Sequence, residues 1–187
     1  MSERFQIRST SLSGLMVLER QPRGDERGFF ERIFCDEELV SAGWSGVARQ
    51  INHTFTQKCG TVRGLHFQLP PHSEMKLVSC LRGEIWDVVV DVRKDSPTFL
   101  QWHAEKLSAE NHRTLLIPQG FAHGFQTLTD DVDLLYCHST AYRPQAETGV
   151  AILDPKLKIN WPLKIRELSD RDRSYPLLTD EFKGVQL

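Results

Sequence analysis

The sequence lacks long hydrophobic runs, and no segment approaches the roughly 20 consecutive apolar residues that a membrane-spanning helix needs. Its first twenty residues, MSERFQIRSTSLSGLMVLER, are interrupted by charged and hydroxyl side chains and contain no apolar stretch typical of a signal-peptide core. We therefore expect a cytoplasmic protein that has no membrane partner.

An excess of charge of one sign is also missing. The 23 Lys and Arg residues against 25 Asp and Glu residues give a formal net charge of −2, and no run of five like charges occurs. Binding to a nucleic acid polymer depends largely on basic groups that neutralise phosphates. The composition therefore argues against nucleic acid as a partner.

Cysteine is scarce and unpatterned. The four cysteines, Cys35, Cys59, Cys80 and Cys137, form no C-x-x-C motif and no paired spacing. Such cysteines are typical of thiols that stay reduced in a cytosol. We expect them to be small, free strand residues.

The hydrophobic pattern favours strands almost throughout the chain. Short apolar runs separated by Gly, Pro, Asp and Asn occur at VLER, GVARQIN, TVRGLHF, KLVSCL, EIWDVVVDV, TLLIPQGFAHGF and VDLLYCHS. Only residues 36–43 and 168–175 resemble short helices. Many short strands in one compact chain predict a mainly β sandwich, jelly roll or barrel.

The length of 187 residues with 40% hydrophobic content suits one domain with a sizeable core. We expect a single domain over residues 1–187. Four prolines make residues 143–187 the least regular part, and we expect this segment to be a tail packed on the barrel.

Alternation along two strands collects rings and imidazoles on one face of each strand. The odd positions of GFAHGFQ are Phe121, His123 and Phe125, and the even positions of VDLLYCHS are Val132, Leu134, Tyr136 and His138. A ligand pocket combines apolar walls with a few polar groups, so we expect His66, His123 and Tyr136 to converge. The alternative for any one histidine is a core ring with a single hydrogen-bond partner.

Arg63 and His66 are three residues apart, which places them on opposite faces of a regular strand. Both can face the pocket only if Gly64 marks a bulge or bend, as a glycine inside a strand often does. The alternative for Arg63 is a surface cation paired with a carboxylate.

Nine segments in consistent order along nearly the whole chain resemble dTDP-4-dehydrorhamnose 3,5-epimerases. They are DERGFF (25–30), QIN (50–52), RGLHFQ (63–68), MKLVSCLRGEIWDVVVDVR (75–93), DSPTF (95–99), LSAEN (107–111), IPQGFAHGFQTL (117–128), LLY (134–136) and LSDRDRSYP (168–176). The resemblance implies a cupin-type jelly roll, that is, a double-stranded β-helix, with a few short helices. It also implies a homodimer that needs no metal or organic cofactor.

The resemblance assigns roles to matching positions. It implies that His66 is the general base, Asp172 the carboxylate that orients it and Tyr136 the general acid, with Lys76 holding the 4-keto oxygen. Residues at or beside the positions that it implies for substrate binding are Arg27, Phe29, Gln50, Asn52, Arg63, Phe121, His123, Glu147 and Arg171.

The chain departs from the family pattern at a few places. Arg32, with Glu31 before it, stands where the family often has an acid, Arg171 replaces a common lysine, and Cys137 and His138 are unusual neighbours of Tyr136. The catalytic set is complete, so we expect inversion of C3 and C5 of a dTDP-4-keto-6-deoxyhexose through an enolate. The exact sugar and nucleotide stay open.

Three other functions remain open. A related enzyme of the same fold could invert C3 alone or C5 alone, or act as a ketoisomerase. A metal cupin could use His66, His72, Glu74 and His123, although HFQ lacks the second histidine of the usual pair and we expect His72 and Glu74 in an exposed turn after Pro70-Pro71. A non-catalytic carbohydrate-binding cupin would not require base, orienting carboxylate, cation and acid together.

Overall fold

The computed structural model describes residues 4–187, which form an almost entirely antiparallel β structure. The strands of this part of the chain are β1 (Phe5–Ser9), β2 (Met16–Arg20), β3 (Arg23–Asp25), β4 (Gly28–Phe30), β5 (Gln50–Thr56), β6 (Val62–Gln68), β7 (Lys76–Arg82), β8 (Glu84–Asp91), β9 (Trp102–Ser108), β10 (Arg113–Ile117), β11 (Phe121–Thr127), β12 (Val132–His138) and β13 (Glu147–Gly149). The helices are α1 (Asp36–Leu39), followed by a 3₁₀ turn at Val40–Ala42, and α2 (Asp170–Ser174).

Two large sheets form the body of the molecule. One has the strand order β1-β2-β10-β7-β12-β5, the other has the order β13-β6-β11-β8-β9, and β3 and β4 form a separate hairpin. The non-sequential order within each sheet is that of a jelly roll. The predicted mainly β jelly-roll class with a few short helices is therefore confirmed, and both helices lie within the two segments that the sequence pattern indicated.

The core lies between the sheets because alternate residues of their strands point inward. One cluster contains Val78 and Leu115 of the first sheet together with Ile85 and Phe125 of the second. Strand β8 is buried on both faces, since its other face contributes Val88 to a second cluster.

The second cluster is covered by residues of the C-terminal segment. Side chains that pack on it include Trp161, Ile165, Leu168 and Phe182. This packing brings α2 close to β6. Among residues 4–187, no helix is both long enough and apolar enough to cross a membrane.

Candidate active site

A cavity of about 600 Å³ opens between the two sheets. It is within the size range of small-molecule sites. The residues that line it, among those that the structure describes, are Gln50, Asn52, Thr54, Arg63, His66, Phe67, Gln68, Glu74, Lys76, His123, Gly124, Phe125, Tyr136, His138, Tyr142, Glu147, Ser169, Arg171 and Asp172. Ten of the thirteen predicted site residues are in this set, including His66, His123 and Tyr136, whose convergence was expected.

A bulge at Gly64 brings Arg63 and His66 to the same cavity. His66 pairs with His123 and Arg63 pairs with Phe125, so an advance of three residues on β6 matches an advance of two on β11. Gly64 has φ +134°, and a Cβ built on it would lie 2.5 Å from the Cα of Gly124. The predicted bulge is confirmed. The Arg63 guanidinium hydrogen-bonds Thr56 and lines the cavity, rather than pairing with a carboxylate on the surface.

His66 is held by a carboxylate from the C-terminal helix. Its Nε2 atom lies 2.6 Å from Oδ1 of Asp172. Ser169 caps α2 by accepting a hydrogen bond from the Asp172 backbone, which fixes this carboxylate. Burial disfavours the charged carboxylate, but hydrogen bonds from His66, Ser169 and the Gly64 backbone outweigh burial and lower the pKa of Asp172. A neutral His66 with its proton on Nε2 keeps Nδ1 free as a base.

A second histidine and aspartate pair lies deeper in the barrel. His123 Nε2 is 2.7 Å from Oδ1 of Asp87, whose side chain is completely buried. Burial raises the pKa of Asp87, and the neighbouring His123 opposes this effect. The other oxygen of Asp87 has no hydrogen-bond partner among the described residues. His123 is therefore a buried donor or acceptor at the inner wall of the cavity.

Lys76 supplies a buried cation at the start of β7. Its Nζ atom donates to the backbone oxygen of His66 at 3.0 Å and lies 3.2 Å from Oε1 of Glu74. Glu74 is only 7% exposed and also accepts from Gln68. The expectation that Glu74 lies in an exposed turn is wrong, because these two partners compensate its burial. His72 does follow the prolines in a bend, where it is partly buried and lies outside the cavity lining.

Tyr136 faces the cavity from the other sheet. It is 9% exposed, and burial, followed by the charge of Asp87, raises the pKa of its phenol well above the usual value. Its ring meets His123 edge to face and His138 nearly parallel, each with ring centroids 6.0 Å apart. A phenol in this setting is a proton donor at neutral pH.

Polar side chains are connected around the opening of the cavity. Gln50 accepts a hydrogen bond from the Tyr142 backbone, and the Tyr142 hydroxyl donates to Glu147 at 2.7 Å. Arg171 pairs with Glu147 at 2.8 Å and approaches Nε2 of His66 at 3.3 Å. Sequence reasoning missed Tyr142, which lies in an irregular segment without a local signal. It did place His138 on the Tyr136 face but gave it no role.

Three predicted residues do not reach the cavity of their own chain in the part that the structure describes. Arg27 and Phe29 lie on the exposed β3–β4 hairpin, where Arg27 pairs with Asp25 and Phe29 meets the ring of His112. Phe121 shares a face with His123, but it is 2% exposed in the core and outside the lining of the cavity, and the guanidinium carbon of Arg93 lies 4.3 Å from the centroid of its ring.

Residues 4–187 contain no group of three or more His, Cys, Asp or Glu side chains that could hold a metal ion. His66 and His123 are opposite each other in the β6–β11 register. Each of these imidazoles uses its Nε2 atom for its own aspartate, at 2.6 Å and 2.7 Å.

Comparison with known proteins agrees with the geometry of the site. The family model for dTDP-4-dehydrorhamnose 3,5-epimerase matches residues 9–180. The chain is 43% identical to the dTDP-4-dehydrorhamnose 3,5-epimerase of Shigella flexneri over 164 residues, which is 87% of this chain and 90% of the relative.

Two solved structures of sugar-nucleotide epimerases also resemble this chain. A Legionella pneumophila dTDP-6-deoxy-D-glucose-3,5-epimerase in complex with dTDP-4-keto-L-rhamnose has 39% identity and a TM-score of 0.91 over 98% of each chain. A 3'-monoepimerase from Streptomyces bikiniensis in complex with dTDP-quinovose has 36% identity and a TM-score of 0.84, covering 90% of this chain and 85% of that one. This chain belongs to the dTDP-4-dehydrorhamnose 3,5-epimerase family.

Proposed function

We propose that this isomerase inverts C3 and C5 of a dTDP-4-keto-6-deoxyhexose, converting a dTDP-4-dehydro-6-deoxyglucose into a dTDP-4-dehydrorhamnose. The observation that carries the proposal is the pairing of His66 with Asp172 on one wall of a cavity whose facing sheet presents Tyr136. A base and an acid on opposite walls can remove a proton from one face of a sugar carbon and return one to the other face.

The first step is proton removal by His66. A C–H bond next to the C4 carbonyl is acidic, so Nδ1 of His66 takes the proton while the C–H electron pair moves toward the C4 oxygen. The result is an enolate and an imidazolium, which the Asp172 carboxylate stabilises. A correctly placed base of this kind contributes about 10²–10⁴-fold.

Lys76 stabilises the negative charge that develops on the C4 oxygen. A preorganised donor at such an oxygen contributes about 3–4 kcal/mol in other enzymes. Lys76 is suited to this role because its side chain is 8% exposed and is already oriented by Glu74 and the His66 backbone. Arg63 adds a second cation to the cavity from the facing sheet.

The second step is proton return by Tyr136. Its hydroxyl donates to the opposite face of the same carbon while the enolate electrons form the new C–H bond and the C4 carbonyl is restored. The phenolate then regains a proton from solvent and the imidazolium loses one. Repetition at the second carbon flanking C4 completes an isomerisation without a redox change, so we infer that no cofactor is required.

Side chains around the opening are suited to bind the nucleotide part of the substrate. Gln50 and Asn52 offer amide groups, and Arg171 offers a guanidinium beside Glu147. Guanidinium groups bind phosphate oxygens with two parallel hydrogen bonds. We infer that dTDP-sugar binding uses these groups together with Arg63 and His123.

Exposed residues on the β3–β4 hairpin support a homodimer. Phe29 is 63% exposed and Phe30 is 61% exposed, and the edge strand β5 exposes Ile51 and Phe55. Neighbouring exposed aromatic groups often mark an interaction surface. In a homodimer, the hairpin of one chain can bring Arg27 and Phe29 to the cavity of the other chain, which reconciles their expected role with their position.

We infer that residues 1–187 act as one jelly-roll domain, in which residues 143–187 form a tail on the barrel that supplies Glu147, Arg171 and Asp172. We propose that the enzyme works in the cytoplasm, without a nucleic acid polymer or a membrane as partner.

The second candidate is a C3-only epimerase, which the likeness to the Streptomyces bikiniensis 3'-monoepimerase favours. Incubation with dTDP-4-keto-6-deoxyglucose in deuterated water, followed by NMR, separates the two. We expect deuterium at both C3 and C5 and a product of the rhamno configuration. Deuterium at C3 alone together with inversion at C3 alone would establish the monoepimerase, and no exchange at either carbon would refute an epimerase function.

A further inference from the structure

The ring of Tyr136 contacts two imidazoles, and the less buried one belongs to His138. Residues two apart on a strand share a face, so His138 follows Tyr136 along the same wall of the cavity. The rings of Tyr136 and His138 are 6.0 Å apart between centroids with an interplanar angle of 16°. This is the geometry of an offset stack. His123 meets the Tyr136 ring at 68°.

The His138 ring is uncharged at neutral pH. Burial, followed by the charges of Lys76 and His123, lowers the pKa of His138 to about 4. Lys76 is the register partner of His138 on β7, His123 of β11 adds a second charge nearby, and Asn52 of β5 contributes a neutral amide. The surroundings of His138 therefore oppose an imidazolium next to Tyr136.

A series of amide contacts orients the His138 ring. Asn52 Nδ2 is 3.4 Å from Nε2 of His138, and the Asn52 carbonyl accepts from Gln50 Nε2 at 3.1 Å. The Gln50 carbonyl in turn accepts from the Tyr142 backbone at 2.9 Å. With Nε2 accepting from Asn52, the single ring proton of His138 is on Nδ1.

We propose that His138 is a positioning residue, whose stacked ring holds the Tyr136 phenol in the orientation from which it returns a proton to the sugar. The inference rests on the proposed epimerase function. A neutral ring suits this task because a cationic ring against the phenol would favour the phenolate, and a phenolate cannot donate a proton.

The proposed role of His138 affects only one of two steps that can be measured separately. Proton removal depends on His66 and is followed by solvent exchange, whereas inversion also requires Tyr136. Loss of the stack leaves exchange intact and reduces inversion, since the phenol then occupies several orientations. The stabilisation that an aromatic pair of this kind provides corresponds to a change of about 2- to 10-fold in a rate constant.

The test compares His138→Ala with His138→Phe in deuterated water. We expect His138→Ala to exchange C3 and C5 protons at the wild-type rate, with kcat for inversion reduced about 5- to 10-fold and KM changed less than 2-fold. His138→Phe retains an aromatic plane and should recover inversion to within about 2-fold. His72→Ala is the matched control, because this histidine lies outside the cavity lining.

An unchanged ratio of inversion to exchange in His138→Ala would overturn the proposal, and so would equal defects in the Ala and Phe variants. A general structural defect would instead lower exchange and inversion together in His138→Ala, which also overturns it.

A substrate-free measurement distinguishes failure of this inference from failure of the proposed function. The chain has three tyrosines, so ring-labelled tyrosine gives few NMR signals, and Tyr136→Phe assigns the one of interest. We expect His138→Ala to shift the Tyr136 ring signals and His138→Phe to keep them displaced by ring current. Unchanged signals in His138→Ala would refute the stack even if wild-type protein epimerises the sugar. Wild-type protein without epimerase activity would refute the proposed function even if the stack is present.

Discussion

The imidazole of His66 and the carboxylate of Asp172 meet at 2.6 Å although 106 residues separate them in the chain. The first lies on a strand of the barrel and the second on a one-turn helix of the C-terminal segment. The proposed proton abstraction by His66 therefore depends on how the C-terminal segment packs against β6.

Asp172→Asn should reduce the rate of proton exchange at both C3 and C5 by about 10²-fold or more, because an amide can donate to His66 Nε2 and leave the proton on Nδ1. Exchange into deuterated water measures this step directly. Asp172→Glu is the matched control and should retain more activity. Equal exchange rates in the wild type and Asp172→Asn would contradict the orienting role.

The same pair predicts a pH dependence of stability. Folding lowers the pKa of Asp172, so its carboxylate contributes stability at pH values above the ordinary value near 4, and this contribution is lost as the pH falls through the lowered pKa. The difference in free energy of unfolding between the wild type and Asp172→Asn should therefore be larger at pH 7 than at pH 2. Urea unfolding at both pH values provides the measurement, and a difference that grows toward acid would refute the assignment.

Tyr136→Phe should separate exchange from inversion. We expect deuterium to enter the substrate while inversion falls by about 10²-fold or more, since the phenyl ring occupies the same space but donates no proton. Tyr142→Phe is a control that removes a hydroxyl at the cavity opening, and it should act mainly on KM. Full inversion by Tyr136→Phe would remove Tyr136 from the mechanism.

Lys76→Met should reduce kcat by about 10²–10³-fold through loss of enolate stabilisation. It also leaves Glu74 buried without its cation, which costs about 3–5 kcal/mol in comparable buried pairs. The double variant Lys76→Met, Glu74→Gln should recover much of the stability but none of the activity. Thermal unfolding and kcat together test this, and recovered activity in the double variant would show that Lys76 acts only on the fold.

Mixing two inactive variants tests whether the hairpin serves a second chain. His66→Ala lacks the base, and Arg27→Ala lacks a proposed substrate contact. A mixed dimer has one site with both defects and one complete site, so activity should appear on mixing under conditions that exchange subunits. If mixed dimers form and stay inactive, Arg27 does not act across the dimer.

Strand periodicity was enough to predict the mainly β fold and the wall that carries Tyr136 and His138. Glycine inside a strand predicted the bulge that brings Arg63 and His66 together. The pairing of Asp172 with His66 came from the family resemblance, since nothing local in a short C-terminal helix indicates which strand it reaches.

The errors arise where tertiary contacts decide. The two prolines suggested an exposed turn that included Glu74, but Lys76 and Gln68 stabilise its carboxylate inside the cavity. Phe121 has the right strand face for a site residue and still belongs to the core. Strand parity gives the face of a residue, but it does not give the depth at which the cavity ends.

The close approach of Gly64 and Gly124 has a consequence for how this enzyme can evolve. Each glycine would place a Cβ within 2.6 Å of the other strand's backbone, so neither position has room even for alanine. A methyl group there would push β6 away from β11 and disturb the position of His66, the proposed base. Packing alone thus restricts substitution at two positions that contribute no side chain to the proposed reaction.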